Sequence, residues 1–410
     1  MRRSLVHLVA SRTLATALQV LSLVLLARAT SPSTFGPVSA VVGVGAFLSA
    51  LVDMGMSTFL LQVRARDPRS PVIRSALRLN NATSVLLLAL VVGVALSLHL
   101  ALGPGVMLAA WVCLEKNADT RLSLAIADER VAPVAVVFVA RRALALGLYL
   151  PLTHVTGQVT AFALAQVCGA LYAGVHSRLL VRDSVSAERV PLREVVAGSR
   201  HYWLAVLSAQ VRELDTALVG AAAGVAVGGL YGFGSRLSRP ANLVAASLAM
   251  VMLPAAPRGG PRVARRTGLH LVVLAGISLA LGLAAGPLVP RLLAATGGAA
   301  YGGAGPATRV LVAFMGVSAL CSPLASLLQS QGESRFVARS GLLLAALLAA
   351  ALYVGAEREG AVGAALGLAG VYTAKFCVLA LRLRSTTAAA DPGQPALDRP
   401  APTAAGVARS

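Results

Sequence analysis

The chain has 410 residues, 57% of them hydrophobic and only 13% charged, with a mean hydropathy of +0.77. Soluble globular proteins carry roughly 25% charged and roughly 45–50% apolar residues, so this apolar excess cannot be hidden in one soluble core and a soluble enzyme is excluded. The formal charge of +20 does not indicate nucleic acid either, because the cations lie between long apolar segments rather than on one polar face.

A membrane-spanning helix needs roughly 20 apolar residues. Twelve windows meet that need: 5–27, 37–61, 82–102, 105–127, 131–153, 157–181, 195–222, 227–254, 268–290, 306–330, 335–355 and 361–383. The first is too long for a cleavable signal peptide and carries Arg12 inside it. Cys113, Cys168, Cys321 and Cys377 each fall within an apolar window, with no spacing that suggests a metal site or a disulfide framework. Residues 386–410, rich in Thr, Ala and Pro, read as a disordered tail.

Arginine placement orients these windows. One set of loops holds the clusters Arg64 to Arg78, Arg182 to Arg200 and Arg258 to Arg266, whereas the opposite loops hold Arg28, Arg291, Arg309 and Arg358. Both termini are therefore expected in the cytoplasm of a bacterial plasma membrane. The polar break Arg182 to Glu194 divides the chain into an N-terminal six-helix bundle (1–182), a cytoplasmic linker (183–194), a C-terminal six-helix bundle (195–385) and the tail. Phe35-Gly36-Pro37-Val38 opening the second window and Gly228-Gly229-Leu230-Tyr231 opening the eighth form a faint repeat. Equal helix counts and that repeat suggest duplicated halves facing each other, as in many transporters.

The loops exclude other classes. The expected outside loops are short, their acids are Glu357 and Glu359 beside Arg358, and neither HExxH nor GxxxxGK[ST] occurs. No enzyme, no cofactor, no metal and no direct ATP drive are expected.

The informative residues are charges inside the windows, each of which costs a few kcal/mol at mid-bilayer unless it faces a polar cavity or a partner. Setting aside those within five residues of a window end, the cations are Arg12, Lys116, Arg121, Arg141, Arg142, Arg212, Arg236, Arg239 and Lys375; the acids are Asp53, Glu115, Asp119, Glu213 and Asp215. Spacing i,i+3 allows Lys116 to pair with Asp119 and Arg212 with Asp215, and Arg121 and Lys375 are placed to snorkel. Adjacent Arg141 and Arg142 diverge by roughly 100°, so one of them is expected to face a cavity. Arg236 and Arg239 share one helix face, a repulsive arrangement that an anion or neighbouring carboxylates between them would relieve. Pro240 and Pro323 predict kinks; Gly224-x-x-x-Gly228 and Gly363-x-x-x-Gly367 read as helix packing.

The run Leu214-Asp215, Val219-Gly220, Gly229-Leu230-Tyr231, Arg236-Leu237 and Pro240, ending in Leu253-Pro254, resembles the seventh and eighth helices of polysaccharide and oligosaccharide-lipid flippases. Ala27-Arg28 through Phe35-Gly36, Asp53-Met54-Gly55-Met56 and Gln329-Ser330-Gln331-Gly332-Glu333 are similar to the same group. It belongs to the multidrug/oligosaccharidyl-lipid/polysaccharide exporter superfamily. The resemblance implies an all-α polytopic membrane protein whose twelve transmembrane helices form two six-helix bundles around a central cationic cavity with alternating access. Arg236 matches a cavity arginine that the peptidoglycan-precursor flippase carries in a similar Tyr-x4-Arg-Leu setting, and Arg12 falls near a first-helix arginine. Ser235 stands where that relative has an acid, and two further C-terminal helices are lacking, which favours the O-antigen-type branch.

The expected function is flipping a polyprenyl-pyrophosphate-linked oligosaccharide to the outer leaflet for cell-surface polysaccharide assembly; a multidrug or metabolite antiporter of the same superfamily is the alternative. Arg236, Arg239, Arg12, Arg141, Arg142, Arg212 and Lys116 are the cavity candidates. Guanidinium groups suit a pyrophosphate because they bind it in a bidentate fork and stay charged when buried. Asp53, Glu115, Asp119, Glu213 and Asp215 stand as ion-coupling or ion-pair candidates, with Asp53 favoured for coupling. The expected partners are the lipid-linked glycan, membrane lipids and other polysaccharide-assembly proteins, with no nucleic acid.

Overall fold

The computed structural model describes residues 2–181, 188, 190–252, 260–331 and 333–389. Arg182, Arg189, Arg258, Leu253-Pro254, Gly332 and the tail from residue 390 lie outside the described residues. Among those described the chain is helical, with no strand. The helices are α1 (Arg2–Arg28), α2 (Pro32–Asp53), α3 (Met56–Arg66), α4 (Val72–Ser97), α5 (Leu102–Ala127), α6 (Val131–Leu152), α7 (Gln158–Val181), α8 (Leu192–Gln210), α9 (Asp215–Ala223), α10 (Val225–Met252), α11 (Gly260–Ala285), α12 (Val289–Thr296), α13 (Gly305–Ser330) and α14 (Ser334–Ala389). Among the described residues, eight helical stretches are long and apolar enough to cross a membrane. Large apolar side chains such as Val85, Leu171, Leu281 and Leu343 point outward, the inverse of a soluble surface and suited to lipid.

Two windows that the sequence presents as uninterrupted are broken. The second ends at Asp53, because Met54 and Gly55 both adopt left-handed backbone (φ 50° and 71°), and α3 starts afresh at Met56. A Cβ at Gly55 would lie 2.6 Å from the Trp203 nitrogen, so the break also seats α8. The seventh is divided by a 3-10 turn, Val211–Leu214, between α8 and α9. The stretch between the ninth and tenth windows, 291–305, is no plain loop, for it holds most of α12 and a 3-10 stretch, Ala299–Ala304. Conversely, α14 covers two windows, divided only by the non-helical Glu359 and Gly360. It continues to Ala389, past the expected start of the tail. Pro240 and Pro323 both sit inside helices that continue through them.

In the first half α5 packs on α7 and α4, α6 packs on α1 and α7, and α2 packs on α4. In the second half α13 is surrounded by α10, α11 and α14, and α9 packs on α10 and α14. The halves meet where α2 crosses α10 and α9. Small residues make that crossing close. A Cβ at Gly36 would lie 2.4 Å from the Val225 carbonyl oxygen, one at Gly229 would lie 2.0 Å from the Pro32 oxygen, and one at Gly43 would lie 2.1 Å from the Glu213 oxygen. Apolar transfer gives helices little reason to associate inside lipid, so close van der Waals approach of this kind supplies much of the association. The two faint sequence repeats are thus the two surfaces of one contact. Beside it Phe35 packs edge-on against Phe233 and Tyr301, which are tilted on each other, with ring centroids 4.5–6.2 Å apart. The Gly363-x-x-x-Gly367 pair packs within α14, against the Gly355 and Ala351 carbonyls, whereas Gly224 (φ 93°) makes the turn from α9 into α10.

Candidate functional site

Two clusters of charge form, one in each half. The second-half cluster grows out of the 3-10 turn. Interrupting the helix at Val211–Leu214 turns Glu213 toward α10, where Arg236 and Arg239, one helical turn apart, both reach its Oε2, at 3.4 Å and 2.9 Å. The like charges on one face of α10 are therefore bridged by a carboxylate from the neighbouring break. Arg236 is 5% exposed, and its second amino group donates to the Ser39 carbonyl of α2 at 3.4 Å. It sits at the crossing of the two halves.

Arg212 does not pair with Asp215 as i,i+3 spacing suggested. The 3-10 geometry turns it away, to donate to Ser318 Oγ at 2.9 Å and to lie over the Tyr372 ring at 5.4 Å. Asp215 is fully buried and accepts from the Thr216 nitrogen and from Ser235 Oγ, each at 2.6 Å, and from Thr216 Oγ1. It anchors α9 to α10. Three guanidiniums and two carboxylates leave this cluster one positive charge in excess, and one carboxylate is fully engaged with hydroxyl and amide donors. Arg212 Nε, Arg236 Nε and an Arg239 amino group are buried without a hydrogen-bond acceptor. Buried donors of this kind cost roughly 1–3 kcal/mol each when unpaired, so the cluster can accept further anionic oxygen.

The first-half cluster is more nearly balanced. Glu115 of α5 pairs with Arg142 and, at 3.5 Å, with Arg141 of α6, and accepts from Trp111 Nε1 at 2.6 Å. Arg141 also holds Asp119 at 2.6 Å, and Arg142 reaches Gln166 Oε1 at 3.3 Å. Both arginines are buried, rather than one facing a cavity, because the single carboxylate of Glu115 spans the two directions. Arg12 and Arg141 lie 5.2 Å and 5.0 Å from the Phe138 ring centroid, and Arg12 is exposed. A cation over an aromatic face is held without losing its charge.

Lys116 does not pair with Asp119. Its ammonium donates to the Asn80 carbonyl (3.1 Å), Asn80 Oδ1 (2.6 Å) and Thr83 Oγ1 (3.1 Å) of α4, which satisfies its three donors without a carboxylate. Asp53 accepts from the Ser57 nitrogen at 3.3 Å and from Ser57 Oγ, capping the restarted helix α3. Arg121 is buried and bonded to the Asn117 carbonyl and Asn81 rather than extended to an interface, while Lys375 lies 5.9 Å from the Tyr372 ring centroid. Sequence reasoning passed over Ser39, Ser318, Asn80, Gln166 and Trp111, and noted Ser235 only as a departure from a relative's acid. Polar residues on otherwise apolar helices were the available signal.

Residues 25–259 match the family model for polysaccharide biosynthesis proteins. That is more than half of the chain, and the chain belongs to this family. A comparison with curated proteins gives no match. Among solved structures it resembles an inward-facing multidrug resistance MATE family transporter of the MOP superfamily, with TM-score 0.73 and 16% identity over 91% of this chain and 95% of that one. It also resembles an outward-facing structure of a MATE transporter, with TM-score 0.64, 15% identity, and 94% and 96% of the two chains covered. A MOP superfamily transporter from Pyrococcus furiosus, described as having a binding pocket of reverse polarity that suggests a different function, gives TM-score 0.62 at 14% identity, again over 94% and 96%. The chain is a multi-pass membrane protein with the fold of MOP-superfamily transporters.

Proposed function

We propose that the protein flips a polyprenyl-pyrophosphate-linked oligosaccharide from the cytoplasmic to the outer leaflet by alternating access. In this reading seven of the eight apolar stretches, with α5, the α8–α9 pair, α10 and the two arms of α14 (the eighth stretch), make twelve passes in two six-helix bundles, with both termini cytoplasmic. The observation that carries the reading is the second-half arginine cluster. Arg236 and Arg239 converge on one carboxylate, both of them and the neighbouring Arg212 retain buried donors without acceptors, and Arg236 reaches α2 at the junction of the halves. An anion bound there bridges both halves, which couples its presence to their rocking. Pyrophosphate offers the oxygen atoms that such forks accept, and membership of a polysaccharide biosynthesis family supplies the class of cargo. The Phe35, Phe233 and Tyr301 cluster, with the glycine crossing beside it, closes the end assigned here to the outside. The higher TM-score with the inward-facing relative is in keeping with that state.

Antiport of a small metabolite or drug is the second reading, supported by the fold of the MATE neighbours. Transport of a fluorescent polyprenyl-pyrophosphate-linked glycan in proteoliposomes decides between them. Flipping that is lost on Arg236→Ala supports the first. Exchange of small solutes with no glycan flipping supports the second.

A further inference from the structure

Away from both charge clusters, α11, α13 and the last turns of α14 enclose a groove of about 690 Å³. Leu269 and Val272 of α11, Leu324 of α13, and Phe376 and Leu381 of α14 form its apolar wall. Three further lining residues are Arg265, Arg266 and Arg384, and no carboxylate lines it among the described residues.

The groove has two chemically distinct ends. A Cβ at Gly268 would lie 2.4 Å from Leu383 Cδ2, which sets these two residues side by side on α11 and α14. Arg265 and Arg266 lie on one side of that level and Arg384 just beyond it, whereas Leu269, Val272, Leu381 and Phe376 extend the other way. Six residues from Arg266 to Val272 span about 9 Å of helix, and eight from Phe376 to Arg384 about 12 Å. The cationic end therefore leads directly into an apolar trough about 10 Å long. The trough opens outward, since Leu269 and Leu381 are 61% and 63% exposed.

The geometry points to a binding site for an anionic phospholipid, with its phosphate at Arg265, Arg266 and Arg384 and its acyl chains along Leu269, Val272 and Leu381. Charge complementarity selects an anionic head, and the trough selects a lipid over a free anion, which would leave most of the wall unused. Basic pockets between membrane helices bind anionic lipid heads in this way. The arginine-bearing end is the one that the sequence assigns to the cytoplasm. None of its lining residues belongs to either charge cluster.

Native mass spectrometry of the full chain in detergent, titrated with phosphatidylglycerol or with phosphatidylcholine of the same acyl chains, tests it. One saturable phosphatidylglycerol is expected, with phosphatidylcholine bound at least about tenfold more weakly. Replacing Arg265 and Arg266 together by Gln should weaken phosphatidylglycerol binding about thirtyfold. Leu381→Trp, which fills the trough at an exposed position, should also weaken it and decides the matter if the double variant fails to fold. Arg236→Ala should leave it unchanged. Equal binding of the two lipids, unchanged binding in the double variant and in Leu381→Trp, or displacement by millimolar inorganic phosphate would overturn the assignment.

Discussion

Arg236 is the residue on which the transport reading depends most, and the structure sets the size of the effect expected on removing it. Its guanidinium touches Glu213 at 3.4 Å and the Ser39 carbonyl at 3.4 Å, while Glu213 keeps a shorter bond to Arg239. Arg236→Ala therefore leaves Glu213 paired, and assembly should survive. Loss of one hydrogen bond to a charged group costs about 1.5–3 kcal/mol. If that bond is made to the pyrophosphate during transport, the flipping rate should fall roughly 10- to 150-fold. Arg236→Lys should recover only part of the rate, because an ammonium lacks the planar fork. Arg200→Ala, at an exposed position of α8, should be nearly silent. The complementary variant is Glu213→Gln, which leaves two buried guanidiniums facing each other without their carboxylate. Breaking one side of a buried ion pair costs about 3–5 kcal/mol. Glu213→Gln in detergent should thus unfold at a lower temperature and regain part of the loss when pyrophosphate is added. Flipping in proteoliposomes and thermal unfolding of the purified protein are the two assays. Full activity of Arg236→Ala, together with a Glu213→Gln variant that ignores pyrophosphate, would refute the reasoning.

Three further outcomes are expected. In Gly229→Val the new side chain meets the Pro32 carbonyl, where even a Cβ would lie 2.0 Å away. The α2–α10 crossing should then fail to close, and a cysteine at Ser39 should react faster with an impermeant thiol reagent added outside; an unchanged rate would show that the crossing does not gate access. A cysteine at exposed Arg200, a better probe than its buried neighbour Ser199, should be labelled from the cytoplasmic side, and labelling from outside alone would reverse the topology. A pyrophosphate carries about two negative charges out of a membrane that is negative inside, which gains roughly 4–5 kcal/mol per 100 mV. Flipping should therefore accelerate with an inside-negative potassium-diffusion potential at equal pH and sodium. A rate that follows only a pH or sodium gradient would reject potential assistance.

Much of the fold was legible because lipid imposes one rule, an apolar run of fixed length, on every crossing helix. Most windows coincide with helices for that reason. The breaks at Met54-Gly55 and Val211–Leu214 were hidden, because interrupting a helix inside a buried crossing leaves hydropathy unchanged. Gly55 and the clustered charges Arg212, Glu213 and Asp215 were the only local signs. The same limit explains the pairs. Spacing i,i+3 brings Arg212 and Asp215 together only if the helix is regular, and here it is not. Lys116 escaped in another way, since its acceptors lie on α4, and no pattern within one helix reveals a partner on the next. Arg236 and Arg239, whose spacing along a regular helix did hold, were read correctly as sharing a face. Their bridging carboxylate, Glu213, was visible only as a candidate.

The central claim is that a buried arginine cluster moves a pyrophosphate-linked glycan between leaflets. Its most direct test is the initial flipping rate of a fluorescent polyprenyl-pyrophosphate-linked oligosaccharide in proteoliposomes, read by accessibility to an impermeant quencher. Rapid flipping by the parent protein is expected, with a fall of roughly 10- to 150-fold in Arg236→Ala and background rates in protein-free vesicles. Flipping no faster than in protein-free vesicles, with cationic solutes exchanged instead, would contradict it.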